Sequence, residues 1–166
     1  MRPLPRIAER LDCARLSAAQ AAVLVASAAA LRQAAADGQR QTPLRGRNLG
    51  LLCDDDGEDA ARLFRRAASE LGARVAHIRP NLSASSSADE LRATARMLAR
   101  LYDAVECQGL PRALVERLAA QADLPVFDGI ALPLHPTALL AAQLGDGSEA
   151  ERRCWVLQAA LVAAVG

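Results

Sequence analysis

The chain has 166 residues, enough for one domain and too few for two of ordinary size. Hydrophobic residues make up 52% of it and charged residues 23%, which predicts a folded protein with a buried core. All 20 basic residues are arginine, which excludes a Schiff-base lysine, a P-loop lysine and a lysine general base. The formal net charge of +1 argues against a nucleic-acid partner.

The cysteines and histidines are too scattered to suggest a metal centre. A zinc site needs four ligands that converge from close spacings, and the chain has only His77 and His135 beside isolated cysteines. The cysteines are Cys13, Cys53, Cys107 and Cys154. We therefore expect reduced, partly buried thiols, no metal, no cofactor and a cytoplasmic location.

The amino-terminal segment allows two interpretations. Residues 18–31 are apolar and follow four arginines, which is the outline of a secretory signal peptide. However, polar side chains interrupt this region, and Ser17 and Gln20 have the spacing of a capping box that opens a helix to about Ala36. We favour the helix. No stretch reaches the roughly 18 strongly apolar residues of a membrane span, so no membrane association is expected.

Apolar spacing and turn residues divide the rest of the chain into alternating strands and helices. Short apolar runs predict strands at residues 48–53, 74–78, 102–107 and 124–127. Helical spacing predicts helices at residues 17–36, 58–71, 89–101, 111–122, 133–144 and 149–165. Such alternation is typical of parallel strands covered on both faces. We therefore expect a three-layer α/β fold, with a four-stranded parallel sheet flanked by helices.

Short motifs along residues 44–144 occur in the order and spacing of one family. They are Leu44-Arg45-Gly46-Arg47, Phe64 with Ala67-Ala68 and Leu71-Gly72, Thr94-Ala95-Arg96-Met97-Leu98, Tyr102-Asp103-Ala104-Val105-Glu106, Leu124-Pro125-Val126-Phe127-Asp128-Gly129 and His135-Pro136-Thr137. In this respect the chain resembles the carbamoyl-phosphate-binding domain of the ornithine and aspartate carbamoyltransferases, and the ornithine type in particular. The resemblance implies a four-stranded parallel sheet, normally one half of a two-domain subunit in a trimer.

Residues 151–159 resemble the carboxy-terminal helix that returns to the first domain in that family. The resemblance implies that the amino-acid-binding domain is missing and that its borders are joined near residues 145–148. We expect residues 1–148 to form the carbamoyl-phosphate-binding-like domain and residues 149–166 a helix that packs back on it. Its apolar side is expected to contact the first helix around Val23 and Leu31, through Trp155, Leu157, Leu161 and Val162. The alternative is an unrelated alanine-rich amphipathic helix.

The family's phosphate-binding loop has lost its ligands here. In the family, a Ser-Thr-Arg-Thr-Arg sequence at a helix amino terminus holds carbamoyl phosphate, since free N–H groups and arginines bind an anion. The resemblance places this motif on Gly57-Glu58-Asp59-Ala60-Ala61, which has no hydroxyl and no arginine. Asp54-Asp55-Asp56 adds negative charge before it. Carboxylates at a helix start occupy the N–H groups and repel a phosphate.

Two of the family's other ligands are retained. Gln108 stands where the family has a phosphate-binding arginine, and the His-Pro-x-Gln motif reads His135-Pro136-Thr137-Ala138. Arg153 matches a carboxy-terminal arginine that contacts the carbamoyl oxygen, and residues 85–87 offer serines where a neighbouring subunit supplies lysine or serine. We expect no catalytic residue, with His135 and Arg153 vestigial, and any remaining ligand site would use these two and Gly57.

Structural explanations compete with each of these assignments. The acidic residues 54–59 suggest a cation site, but they fail the EF-hand spacing, and a solvated helix cap is favoured. His135 has no second His, Cys or acid in its motif, so a hydrogen-bonded structural role is favoured. Arg65 and Arg66 are candidates for anion binding or for pairing with Glu58 or Glu70.

The sequence therefore favours a carbamoyltransferase-family protein that is catalytically inactive and acts through assembly. We expect a homo-oligomer, a trimer first and a dimer second, or an assembly with an active carbamoyltransferase paralogue. The predicted contacts are an exposed apolar face and the acidic residues 54–59 against Arg92 or Arg96 of a neighbour. The apolar face comprises residues 131–133, Leu139 and Leu140. The alternative is a divergent transferase, or an enzyme binding a small anion or amino-acid metabolite, that uses His135 and Arg153 with Arg65.

Overall fold

Helices and strands alternate along residues 15–166, the part of the chain that this computed structural model describes. Cys13 lies outside the described residues. The strands are β1 (Asn48–Leu52), β2 (Arg74–Ile78), β3 (Ala104–Cys107) and β4 (Val126–Asp128). The helices are α1 (Ala18–Ala36), α2 (Asp59–Glu70), α3 (Ala88–Leu101), α4 (Arg112–Gln121), α5 (Pro136–Ala141) and α6 (Glu149–Val165), with a 3-10 turn at Ala142–Leu144.

The four strands form one parallel sheet in the order β2-β1-β3-β4. The central strands β1 and β3 are buried almost throughout, which explains their continuous apolar runs. Because parallel strands end at the same edge, the loops after β1, β3 and β4 meet there. The predicted fold class is confirmed, and this carboxyl edge holds the residues that the sequence singled out.

Two hydrophobic clusters cover the two faces of the sheet. Leu49 and Leu51 of β1 belong to the cluster beneath α1, α2, α5 and α6. Leu52 belongs to the cluster beneath α3 and α4. Successive residues of a strand point to opposite faces, so a single short strand supplies both layers.

Reciprocal capping boxes begin three of the helices. Ser17 and Gln20 cap α1, which confirms the predicted helix start, and equivalent pairs cap α3 and α6. The latter pairs are Ser87 with Glu90 and Ser148 with Glu151. In each box the serine hydroxyl accepts an N–H of the first turn and the longer side chain accepts the serine N–H, so two otherwise unpaired donors are satisfied.

Helix α1 is more apolar than we expected from the sequence. By length and composition alone it could cross a membrane, with a mean hydropathy of 1.2, and this corrects the statement that no stretch qualifies. The value comes from many weakly hydrophobic alanines rather than from leucine or isoleucine. In the structure Leu24 and Ala28 are its buried residues, and α1 packs along α6.

The α1–α6 contact differs in one residue from the expectation. Val23 does not belong to the buried face, because its side chain is 53% exposed. It precedes Leu24 by about 100° around the helix, and this rotation turns it towards solvent. On α6, Leu157 and Leu161 are buried, whereas Trp155 is only partly so.

The apolar face expected around α5 is also partly wrong. Ala131 and Leu140 are buried rather than exposed, because α6 packs on this region. Leu139, at 78%, and Pro133 are exposed as expected, and Leu134, at 96%, is exposed as well. The apolar surface near α5 is therefore narrower and centred on these two leucines.

Glu70, at the end of α2, ties α6 and the loop after α1 to α2. Its carboxylate accepts hydrogen bonds from Arg66 Nε at 2.9 Å and from Gln158 Nε2 at 2.7 Å. Arg40 Nη1 lies 3.3 Å from the same carboxylate, and its guanidinium lies 5.8 Å from the centre of the Trp155 ring. Partial burial raises the pKa of Glu70, but the hydrogen bond and charge of Arg66 and the charge of Arg40 lower it further, below its ordinary value.

Replacing this carboxylate should therefore destabilise the fold. We expect Glu70→Ala to lower the free energy of unfolding by about 1–2 kcal/mol near neutral pH, measured by urea denaturation. Because the folded-state pKa is depressed, this contribution exists above the ordinary value of 4.5 and is lost as the pH falls through the folded pKa. Glu116→Ala, which removes an exposed helix pair with Arg112, is the control and should cost less than about 0.5 kcal/mol. Equal losses in the two variants would contradict the role of Glu70.

Candidate functional site

The loop between β1 and α2 carries the acidic residues 54–59. Asp55 Oδ1 accepts the N–H of Gly57 at 2.8 Å, so this carboxylate takes up a donor just before the helix. Glu58 is the residue that precedes α2, but its side chain makes no capping hydrogen bond. The expected acidic helix cap is therefore only partly correct, because the carboxylate binds the N–H of Gly57, one residue before the N-cap position.

Arginines of α2 are engaged with carboxylates of the same segment. Arg65 Nη2 donates to Asp56 Oδ2 at 2.8 Å, and Arg62 pairs with Asp59. The pairing of Arg66 with Glu70 is confirmed, whereas the partner of Arg65 is neither Glu58 nor Glu70. The positive charge nearest the start of α2 thus neutralises a local carboxylate.

His77 on β2 holds the same loop and was not identified from the sequence. Its Nε2 lies 2.7 Å from the carbonyl oxygen of Cys53, and its Nδ1 lies 3.7 Å from Asp56 Oδ2. Burial raises the pKa of the Cys53 thiol, and the Asp56 charge adds to this. Cys53 is therefore a protonated, inert thiol at neutral pH. The strand register explains the contact, because the pairing of Leu51 with His77 places His77 beside the end of β1, where the loop to α2 begins.

Strand β3 ends in two buried polar side chains. Glu106 is 0% exposed, and its Oε2 accepts the N–H of Ile130 at 3.1 Å. Gln108, at 7% exposure, follows on the same side of the strand. Among the described residues, Glu106 Oε1 and Gln108 Nε2 have no hydrogen-bond partner. Gln108 was identified from the sequence at the position of a lost arginine. Glu106 was not identified, because a charged residue type does not predict burial.

The ionisation of Glu106 is strongly disfavoured. Burial raises the pKa of this carboxyl well above its ordinary value, and the nearby charge of Asp128 raises it further. The N–H groups of Ile130 and Gly129 act in the opposite direction, but they do not offset the burial. Burial at this position therefore favours the neutral form of Glu106 over the carboxylate.

His135 is a buried helix-capping residue. The N–H of Thr137 donates to His135 Nδ1 at 3.2 Å, and Thr137 Oγ1 lies 2.8 Å from the same nitrogen. Thr137 Oγ1 also donates to the carbonyl of Ile130 at 2.9 Å. These contacts join the start of α5 to the loop after β4.

Arg153 secures the same loop from α6. Its Nη2 donates to the carbonyl oxygen of Ala131 at 2.6 Å. The loop thus has polar contacts to three elements, since Gly129 N–H donates to Cys107 O of β3 at 2.8 Å and Thr137 of α5 holds Ile130. The two retained family residues, His135 and Arg153, therefore lie on either side of one loop.

The three residues proposed as a remnant ligand site each have a partner within the chain. The N–H of Gly57 is bound by Asp55, His135 Nδ1 by Thr137 and the Arg153 guanidinium by Ala131. Within residues 15–166, no three His, Cys, Asp or Glu side chains lie together as metal ligands would. The three cysteines described, Cys53, Cys107 and Cys154, are buried and free.

Chemically, the carboxyl edge provides hydrogen bonds but little free positive charge. Such edges bind ligands in many α/β proteins with parallel sheets. Two of the arginines at this edge, Arg65 and Arg153, are bound to Asp56 and to a backbone carbonyl. Holding a phosphate would require these interactions to be exchanged.

Comparison with known proteins identifies the family to which this chain belongs. The profile described as "Aspartate/ornithine carbamoyltransferase, carbamoyl-P binding domain" matches residues 9–144. The chain therefore belongs to the aspartate/ornithine carbamoyltransferase family over this domain. This agrees with the resemblance that the motifs indicated.

Two of the similar proteins are ornithine carbamoyltransferases. An ornithine carbamoyltransferase of Cutibacterium acnes is 34% identical over 142 residues, which is 86% of this chain and 42% of that protein. A catabolic ornithine carbamoyltransferase of Pseudomonas putida is 37% identical over 111 residues, 67% of this chain and 33% of that protein. The chain thus spans less than half the length of these relatives.

A solved structure supports the fold. The ornithine carbamoyltransferase from Pyrococcus furiosus superposes with a TM-score of 0.65 at 22% identity, over 77% of this chain and 41% of the other. At this identity the likeness establishes the architecture, a parallel sheet flanked by helices.

The buried carboxyl of Glu106 predicts a pH dependence of stability. Its folded-state pKa lies above the ordinary value of 4.5, so the folded form loses stability as the pH rises from that value towards the folded pKa. Glu106→Gln keeps an acceptor for the Ile130 N–H and removes the titration. We expect the stability of the wild-type chain to fall relative to this variant by about 1.4 kcal/mol per pH unit within that window.

Urea denaturation of both proteins across a pH series measures this difference. Asp103→Asn is the control, because Asp103, the residue before β3, is partly exposed and pairs with Arg47. Parallel stability curves for the wild-type chain and Glu106→Gln would contradict a buried neutral carboxyl.

Proposed function

We propose that this chain is a catalytically inactive member of the carbamoyltransferase family that acts through assembly. It would form a homo-oligomer, a trimer first and a dimer second, or associate with an active carbamoyltransferase paralogue. The observation that carries the proposal is the state of the phosphate-binding segment: residues 57–61 contain neither hydroxyl nor arginine, and the nearby arginines are paired with carboxylates.

Electrostatics supports the loss of carbamoyl phosphate binding. Two like charges 4 Å apart repel by about 1 kcal/mol in water and about 4 kcal/mol near a partly buried protein surface. Asp54, Asp55 and Glu58 are exposed at the start of α2, where a phosphate dianion would have to approach. Their summed repulsion exceeds what a helix amino terminus contributes, about 0.3–1 kcal/mol.

The retained residues support the same proposal. In a carbamoyl transfer, positive charge must already be oriented towards the phosphate and carbonyl oxygens. Arg153 donates to Ala131 instead, and His135 caps α5 through Thr137. Their contacts explain their presence structurally, without any role in catalysis.

Two surface features support assembly. Leu134 and Leu139 are exposed apolar side chains close together in the chain, and such surface is commonly covered by another subunit. The acidic residues 54–59 and the exposed arginines of α3 offer complementary charge. Of the two arginines proposed for this contact, Arg92 pairs with Asp89 on its own helix, so Arg96 is the better candidate. The buried free cysteines support a reducing, cytoplasmic location.

We expect the chain to bind carbamoyl phosphate no more tightly than about millimolar, equivalent to roughly −4 kcal/mol. Isothermal titration calorimetry, with inorganic phosphate as a second probe, measures this. The Cutibacterium acnes ornithine carbamoyltransferase serves as the positive control.

If the carboxylates are the cause, their removal should strengthen phosphate binding. We expect the combined variant Asp54→Asn, Asp55→Asn and Glu58→Gln to bind inorganic phosphate more tightly than the unmodified chain. Micromolar affinity of the unmodified chain would contradict the proposal and favour the divergent enzyme that uses His135 and Arg153.

The assembly is tested by light scattering coupled to size exclusion. We expect a mass of three, or else two, times the 17.5 kDa of the chain, which decreases at high salt as charge contacts are screened. Arg96→Glu should lower the mass, and adding Asp55→Arg should restore it. Asp123→Arg, on an exposed loop after α4, is the control and should leave the mass unchanged. A 17.5 kDa species that persists at high concentration would overturn the assembly proposal.

A further inference from the structure

Strand β2 lies at one edge of the sheet, and its outer side is unpaired. The strand order β2-β1-β3-β4 gives β2 a single neighbour, β1. On the inner side, Arg74 N–H donates to Arg47 O at 2.9 Å, and Ile78 O accepts the Cys53 N–H at 3.2 Å. Because backbone groups alternate in direction along a strand, the N–H and C=O of Val75 and His77 point outwards.

These outward groups have no partner among the described residues. None of the backbone hydrogen bonds of the loops and turns involves Val75 or His77, and the His77 side chain is directed to Cys53. Exposed edge strands of this kind accept a further strand, because the unpaired N–H and C=O groups form a ready template. The edge of β2 therefore has the hydrogen-bonding pattern of a docking site for extended chain.

A groove accompanies this edge on the α3 side of the sheet. It has a volume of about 310 Å³ and is lined mainly by β2, the start of β1 and the end of α3. Ala76 and its register partner Gly50 are small residues, so they leave space above this part of the sheet. A Cβ atom at Gly50 would lie 3.4 Å from the Tyr102 ring. Leu101 and Tyr102 form the apolar part of the lining. The groove has room for an aliphatic side chain of an added strand.

The charges at this edge indicate the chemistry of the partner. Arg74 lines the groove and Arg79 follows the strand; both are exposed, and neither forms an ion pair with a described residue. Pairing of β2 with β2 of a second copy would bring Arg74 and Arg79 of both copies, four positive charges, to one short edge. Repulsion among these charges favours an acidic partner over a second copy.

We propose that the outer edge of β2 binds an extended segment of another protein that carries an acidic and an aliphatic residue two positions apart, on the same face of the added strand. The segment adds to the sheet through the backbone of Val75 and His77. An aliphatic side chain enters the groove beside Tyr102, and the carboxylate two positions away pairs with Arg74, which lines the same groove. This surface lies apart from the carboxyl edge and is independent of the assembly proposed above.

Amide hydrogen exchange of the full chain tests the proposal residue by residue. The probe is a blocked synthetic peptide in which threonine alternates with valine and glutamate in turn, so that valine and glutamate share one face of the added strand. In the free protein, the Val75 and His77 amides should exchange rapidly, whereas the inward amides of Ala76 and Ile78 should be protected. With peptide, exchange at Val75 and His77 should slow by at least about tenfold, with little change at the two inward amides.

Two variants and a reversed peptide provide controls. Val75→Pro removes an outward N–H that β1 does not use, so the edge strand tolerates it, and peptide binding should weaken by about tenfold. Val75→Ala keeps the N–H and should retain binding. A valine–lysine peptide should not bind the unmodified chain, but should bind when Arg74→Glu and Arg79→Glu reverse the charge.

Three results would overturn the proposal. The first is unchanged exchange at Val75 and His77 with the valine–glutamate peptide, which is decisive even if Val75→Pro fails to fold. The second is equal binding of the two peptides. The third is protection of both amides in the free protein that disappears on dilution, which would identify a second copy as the occupant.

Discussion

The hydrogen bond from the Ile130 N–H to the buried carboxyl of Glu106 organises the carboxyl edge of the sheet. It fixes the loop after β4 against the end of β3, at a position that is buried from solvent. Once Ile130 is fixed, its carbonyl accepts Thr137 Oγ1, and the neighbouring carbonyl of Ala131 accepts Arg153. The loop thus presents successive acceptors to α5 and α6, which explains why residues from distant parts of the chain converge on it. A buried acid serves here because, uncharged, it avoids most of the cost of burying a carboxylate.

Charge pairing at this edge is intramolecular. A helix amino terminus with free arginines would attract an anion, whereas here Asp55 accepts the Gly57 amide and Asp56 pairs with Arg65. Both interactions act in the same direction, since the first places a carboxylate before α2 and the second neutralises an arginine. The family fold survives because its stability rests on the leucine- and alanine-rich clusters and on the capping boxes, not on the residues of the loop.

The sequence predicted the architecture better than the site, for a physical reason. Strand and helix periodicity, the box of Ser17 and Gln20 and the β2 boundaries depend on local spacing, and each is found as expected. The prediction for Val23 was wrong because neighbouring positions on an alanine-rich helix have similar hydrophobicity, so the sequence specifies the buried face only weakly. Glu106 and His77 were missed because their roles arise from long-range register. Only the pairing of strands brings His77 beside the β1 loop and Glu106 beneath Ile130.

The carboxyl edge of the sheet and the outer edge of β2 therefore differ in how far their polar groups are satisfied within the chain. At the carboxyl edge, the loop after β4 is held by β3, α5 and α6, and the unpaired side-chain atoms of Glu106 and Gln108 are buried. Along β2, by contrast, backbone groups of Val75 and His77 point outwards beside a groove and two exposed arginines. Binding energy can come only from groups that are not already satisfied within the chain. On that criterion, the outer edge of β2 offers more unsatisfied backbone groups for recognition than the loop after β4 does.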